Sequence, residues 1–261
     1  MTRRPSVAGM FYPDNPSRLR EMITTFFQRA GVPGSAMGVV SPHAGYVYSG
    51  HVAARAINAL PKDFAGTIII IGPSHEGYMT CASAEPWATP LGTVENDTGL
   101  VDALDIPVDE FSHRNEHSLE VQVPFIQTHL PEAKIAPVMM GNQTLRAAEH
   151  LAERILHAIR STNHDVRIVA SSDFSHYVPE SVAQQQDNYA IEALAALDVA
   201  EFYRRIRDEG VSACGYGPIC TMCLVCRELG AGHADLLQYT TSAEMSGDTS
   251  HVVGYAAIAV M

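Results

Sequence analysis

The chain is 261 residues long, 46% hydrophobic and 18% charged, which is enough to bury a sizeable core. With 17 Lys+Arg against 29 Asp+Glu its formal net charge is −12, so it lacks the footprint that a phosphate backbone attracts, and nucleic-acid binding is disfavoured. No apolar run approaches the roughly 20 residues that span a bilayer, no apolar segment backs the two early arginines as in a secretory signal, and five cysteines with three in one stretch make no secreted disulfide framework; a cytoplasmic globular protein is expected.

In chain order, residues 16–30 are predicted as a helix, with Leu19, Met22, Ile23, Phe26 and Phe27 at helical spacing and Gly31 as the stop. An apolar run at 37–40, ending in Ser41-Pro42, is predicted as a strand. A helix over 50–60 is closed by Pro61, and a β-branched strand over 67–71 by Gly72-Pro73. A helix is predicted over 116–130, then a strand at 135–140, a helix at 145–159 and a strand at 166–170. Helices at 182–197 and 218–229 come next, the latter with Pro218 in its first turn and Gly230 behind it, and 252–260 is a candidate central strand. Continuous apolar runs of this kind suit strands buried on both faces of a largely parallel sheet. Strands alternating with helices, without repeat or linker, predict one α/β domain over 1–261, a three-layer α/β/α sandwich around a mostly parallel or mixed sheet.

The residues that carry chemistry lie just beyond the strands. The 37–40 run leads into Ser41-Pro42-His43, the 67–71 run into Gly72-Pro73-Ser74-His75, and the 166–170 run into Ser171-Ser172-Asp173-Phe174-Ser175-His176. Three strands thus deliver a histidine near their carboxyl ends, the edge at which open α/β sheets bind ligands. One such histidine is most often a satisfied structural residue; three in equivalent positions point to a metal site, imidazole being the commonest ligand for Zn, Fe and Cu. Glu116-His117-Ser118 opens a predicted helix, where Glu116 or Ser118 serves equally well as a cap, while His117 is placed to face the same crevice. Cys214-Gly215 enters a further helix, a setting that lowers a thiol's pKa, although an isolated cysteine is more often a buried apolar residue.

Cys220, Cys223 and Cys226 repeat a CxxC step, but Ile219, Leu224, Val225 and Leu229 surround them without a fourth ligand, which assigns the triplet to the core. Gly215-Tyr216-Gly217 lacks the third glycine and preceding strand of a dinucleotide fingerprint, and neither a P-loop nor a GxSxG elbow occurs.

Together, Ser41-Pro42-His43-Ala44-Gly45-Tyr46, Gly72-Pro73-Ser74-His75, Glu116-His117-Ser118-Leu119-Glu120, Ser171-Ser172-Asp173-Phe174-Ser175-His176-Tyr177 and Cys214-Gly215 resemble the Memo family, whose microbial members are called AmmeMemoRadiSam system protein B. The start, Arg3-Arg4-Pro5-Ser6-Val7-Ala8-Gly9-Met10-Phe11-Tyr12-Pro13, and the end, Gly254-Tyr255-Ala256-Ala257, extend the resemblance over nearly the whole chain.

The resemblance implies a fold like that of class III extradiol dioxygenases, with a non-haem metal crevice lined by His43, His75, Asp173, His176 and Cys214. His43, His75 and Cys214 correspond to the family's iron or copper ligands. By analogy with the dioxygenases His176 is the acid/base and Cys214 stands where a carboxylate ligand would be; Asp173 is expected to orient His176 or raise its pKa, and His117 is counted with them among the catalytic residues. A thiolate there is softer and moves preference toward Cu(I), Zn or a differently tuned iron. The expected cofactor is Fe(II), with Cu or Zn as alternatives, and the expected activity a dioxygenase-like oxidoreductase on an unidentified substrate. Two other roles stand beside it. One is a non-catalytic cleft for a phosphorylated or acidic peptide, as in the human signalling members. The other is copper or iron handling, with Met139, Met140, Met222 and Met245 as soft ligands if not core filling. The microbial name further implies association with radical-SAM and AMMECR-type proteins.

Overall fold

The computed structural model describes residues 1–31 and 33–261. Among these, the strands are β1 (Gly38–Ser41), β2 (Thr67–Pro73), β3 (Cys81–Ala82), β4 (Trp87–Thr89), β5 (Gly92–Val94), β6 (Lys134–Met140), β7 (Val166–Ser171), β8 (His176–Val178), β9 (Ala234–Thr241) and β10 (Val252–Val260). The helices are α1 (Pro16–Arg29), α2 (Tyr46–Asn58), α3 (Thr98–Ala103), α4 (Glu110–His113), α5 (His117–Glu120), α6 (Val123–His129), α7 (Leu145–Thr162), α8 (Glu180–Glu192), α9 (Val199–Asp208), α10 (Tyr216–Glu228) and α11 (Ala243–Ser246).

The main sheet runs β3-β6-β2-β7-β1-β10-β8, with β9 paired to β10. Its centre, β6-β2-β7-β1, is parallel, whereas β3, β10, β8 and β9 pair antiparallel, so the sheet is mixed. Strand alternation sorts side chains into two cores. Val40, Ile69, Ile71, Ala136, Val138, Ile168, Ala170, Ala256 and Ile258 face a core with α3, α7, α8, α9 and α10. Val39, Ile68, Ile70, Ile135, Val169, Tyr255 and Ala257 face the other, with α1, α2 and α6. The result is the expected three-layer α/β/α arrangement, and β10 is an interior strand between β1 and β9. Cys220, Cys223 and Cys226 lie on α10 within the first core, fully buried as expected.

Several element boundaries differ from the sequence expectation, each for a local reason. The helix expected over 116–130 is two, α5 and α6, because Pro124 has no N–H to continue the ladder onto Glu120. The second helix begins at Tyr46 rather than residue 50, since the Tyr46 N–H bonds to the Phe11 carbonyl and its hydroxyl to that of Val121. The 182–197 helix starts earlier, at Glu180, and its last turn tightens to a 3-10 helix, Ala193–Ala196, ended by left-handed Leu197. Among the elements not foreseen are the short β3, β4, β5, β8, α3, α4 and α11, the helix α9, capped by Asp198 onto the Glu201 N–H, and the edge strand β9, whose half-exposed residues make no continuous apolar run.

Candidate metal centre

Parallel pairing of β1 and β2 with β7 brings their carboxyl ends to one edge. His43 lies two residues past the end of β1, and His75 the same interval past β2. His117, the first residue of α5, comes to the same place. One ring nitrogen from each of His43, His75 and His117 lies within 4.8 Å of the others. His75 and His117 stack with centroids 4.4 Å apart, and His43 stands edge-on to both at 5.3 and 5.5 Å. His43 is the floor, 2% exposed, while the rings of His75 and His117 are partly open to solvent.

Buried groups fix this arrangement. The carboxylate of Glu116 accepts from His75 twice, from Nδ1 at 2.9 Å and from the backbone N–H at 2.8 Å, and it caps α5 by accepting from the Ser118 N–H. Glu116 is therefore the cap, and it is the anchor of His75 as well. Burial works against its charge, but these hydrogen bonds and the proximity of His75 outweigh it and bring the carboxyl down to about 2. Burial likewise opposes a charge on His75, yet the hydrogen bond and charge of Glu116 raise its pKa overall. His43 is held well below the ordinary imidazole value, first by burial and then by repulsion from His117 and His75; His117 is lowered by burial and by repulsion from His75.

Asp173 and Cys214 flank His43. The Asp173 Oδ1 accepts the His43 backbone N–H at 2.8 Å, and burial pushes its carboxyl up to about 6. The Cys214 Sγ stands 3.1 Å from His43 Nε2 and accepts from the Asp173 N–H at 3.2 Å. Gly215 permits this approach, since a Cβ there would sit 2.3 Å from the Ser171 carbonyl oxygen. Contrary to the helix-start expectation, the Cys214 thiol is pushed far above its usual pKa, by burial first and by the Asp173 charge second. His176 opens β8 and donates from Nδ1 to the Ser212 carbonyl at 2.9 Å. Asp173 thus binds the His43 backbone, and Ser212 is the group that orients His176. The next residue, Tyr177, has a left-handed φ of 58°.

The trio of convergent imidazoles contains His117, which the sequence placed among the acid/base groups, and Cys214 stands beside it against His43. Phe11, whose ring lies 4.8 Å from that of His117, was not foreseen. No local pattern marks it, because the contact spans more than a hundred residues.

Fold and site together define a mixed α/β protein with a three-histidine centre, able to hold a metal ion, at the carboxyl edge of its sheet. Residues 3–259 match the Memo-like protein family, and the chain belongs to that family. It is 42% identical to a MEMO1 family protein of Methanosarcina barkeri and 44% to one of Methanococcoides burtonii, in each case over 99% of both chains. One from Nitrosopumilus maritimus is 41% identical, also over 99% of both. The crystal structure of an uncharacterized protein from Escherichia coli K12 is similar in fold, with a TM-score of 0.51 and 10% identity over 86% of this chain and 100% of that one. Among the described residues no helix is long and apolar enough to cross a membrane.

Proposed function

We propose that this Memo-family protein is a non-haem metal enzyme, a dioxygenase-like oxidoreductase using iron(II) or copper; zinc is an alternative occupant of the same donors but would supply no redox couple. The observation that carries the proposal is the convergence of His43, His75 and His117. The donor set fits a first-row transition metal. Burial and mutual repulsion favour neutral His43 and His117, and the His75 Nδ1 is taken by Glu116, which leaves its Nε2 as the donor. These three would hold the metal, and the Cys214 thiol lies beside them against His43.

Iron(II) held by His43, His75 and His117 would supply Lewis acidity and a redox couple. The chain's own groups do the rest. Asp173, with its carboxyl near 6, is suited to exchanging a proton around neutral pH while its Oδ1 holds the His43 amide. His176, tethered through Nδ1, keeps Nε2 free to move a proton to or from a substrate hydroxyl. Phe11 covers one side of His117.

Elemental analysis after anaerobic purification tests this reading. Stoichiometric iron is expected in the wild type and its loss in His43→Ala combined with His75→Ala; unchanged metal in that double variant would remove the assignment. One observation favours a second reading, copper or iron handling: the thiol of Cys214 beside His43. Copper lost in Cys214→Ser would select it. The methionines add no further soft ligands, since Met139, Met140 and Met222 are core residues and Met245 is on the surface. Wild-type protein without metal would favour the peptide-binding cleft.

A further inference from the structure

We infer that Ser171 and Gln122 are positioning residues that lock His43 in the Nδ1–H tautomer, so that its Nε2 lone pair faces the metal centre. The inference rests on the reading of His43 as a ligand and assigns roles to two residues outside the histidine trio.

The protons can be counted in this buried cluster. The Ser171 Oγ has three neighbours: the Ser118 carbonyl oxygen at 2.6 Å, the Gln122 Nε2 at 2.9 Å and the His43 Nδ1 at 2.9 Å. A hydroxyl has one proton and two lone pairs. Two oxygens at 2.6 Å need a proton between them, and the carbonyl has none, so the Ser171 proton goes to Ser118. Both remaining neighbours must then donate to Ser171.

The orientation of the Gln122 amide is fixed independently. Its Nε2 lies 3.0 Å from the Pro42 carbonyl oxygen, and its Oε1 accepts from the Ser41 hydroxyl at 2.7 Å. Flipping the amide would set two acceptors against each other at Pro42. Gln122 therefore donates one N–H to Pro42 and the other to Ser171, and the Ser171 hydroxyl has only a lone pair left for His43. His43 must carry its proton on Nδ1, which leaves Nε2 as an acceptor 3.1 Å from Cys214 Sγ. Ser41, Gln122, Ser118 and Ser171 have no exposed surface, so no solvent competes for these bonds.

The Ser41-Pro42-His43 and Ser171-Ser172-Asp173 segments thus share a second task. Their chemistry-bearing residues face the crevice, and the serines at the strand ends, joined through Gln122, set the polarity of the imidazole between them. His75 obtains the same polarity from Glu116. Among the described residues neither ring nitrogen of His117 has a hydrogen-bond partner of this kind; its nearest carboxylate oxygen is 3.7 Å away.

Long-range ¹⁵N NMR on metal-free protein reads the tautomer directly. A protonated Nδ1 on His43 in the wild type is expected, and a protonated Nε2 would overturn the inference. In Ser171→Ala, His43 is expected to shift toward the Nε2–H form, while Ser171→Thr, which keeps the hydroxyl, preserves the wild-type signals. Cobalt(II), titrated against a chromophoric chelator, supplies the second readout: Ser171→Ala should bind it about 10–100-fold more weakly, the usual effect of losing an outer-shell partner. Unchanged cobalt affinity in a folded Ser171→Ala would refute the positioning role. The underlying reading fails separately, through cobalt affinity unaltered by His43→Ala.

Discussion

The Arg3 guanidinium meets the Glu120 carboxylate at 2.8 Å, with only 4% and 1% of the two side chains exposed. Glu120 also accepts from the Tyr12 hydroxyl at 2.6 Å, the Ser6 hydroxyl and the N–H groups of Ser6 and Val7. The remaining Arg3 nitrogens donate to the carbonyls of His113 and Glu116, and the guanidinium lies 4.1 Å over Trp87. This pair fastens the start of the chain to α5, whose first residue is His117, and so holds Phe11 against that imidazole.

Glu120→Gln leaves Arg3 as a buried charge without its counterion and is expected to cost about 3–5 kcal/mol of stability at pH 7. The loss should depend on pH. Burial opposes the charge of Glu120, but Arg3 and the hydrogen bonds depress its pKa overall. A depressed carboxyl contributes stability that is complete above its unfolded pKa, about 4.3, and is lost as pH falls through the folded value. Urea unfolding of wild type and variant should therefore diverge most near neutrality and converge in acid. A gap independent of pH would show that the charge is not what stabilises the segment.

His117 and Cys214 make competing claims as the third donor, and cobalt(II) separates them. The geometry of the trio predicts that His117→Ala weakens cobalt binding strongly, whereas Cys214→Ser retains it. A thiolate-to-cobalt charge-transfer band in the wild type, absent from Cys214→Ser, would instead place the sulfur in the coordination sphere.

The strand-end histidines were legible because each comes after a continuous apolar run, and such runs suit strands buried on both faces of a sheet. The convergence of His43 and His75 was legible because ligands gather where parallel strands end, but the third imidazole of the trio is His117 at a helix start and not the strand-end His176. Ser171 and Gln122 were not legible, because a serine at a strand end and a glutamine between two short helices carry no pattern until the fold sets them against His43. The altered titration of Cys214 was hidden similarly. The sequence displays a helix start, which lowers a thiol's pKa, but not the burial and the Asp173 carboxylate that reverse the effect. The division of the 116–130 helix traces to Pro124 in the first turn of α6, with Gln122 immediately before that helix.

All five thiols have raised pKa values, with burial the leading cause in each: Cys81, Cys220 and Cys226 to about 12, Cys223 and Cys214 well above the usual range. Alkylation tracks the thiolate. Native metal-free protein at pH 8 is therefore expected to show no fast-reacting cysteine, and all five should react after unfolding. Rapid modification of Cys214 in the native state would contradict the raised pKa of this half-buried thiol beside His43.

Gly215 ties the Cys214 loop to β7. Its N–H donates to the Ser172 hydroxyl at 2.9 Å, and an added Cβ would lie 2.3 Å from the Ser171 carbonyl oxygen and 2.7 Å from the Ser172 Cβ. Neither obstacle is a flexible side-chain end, so Gly215→Ala must displace backbone, at a cost of about 1–3 kcal/mol typical of overpacking. The displacement falls on the residue adjoining Cys214 and on the strand end that carries Ser171. Two effects are then expected together: a lower urea midpoint with an unchanged slope, and faster alkylation of Cys214 than in the wild type. Wild-type stability with Cys214 still protected would mean that the loop has room to spare and that glycine is not what brings the thiol to His43.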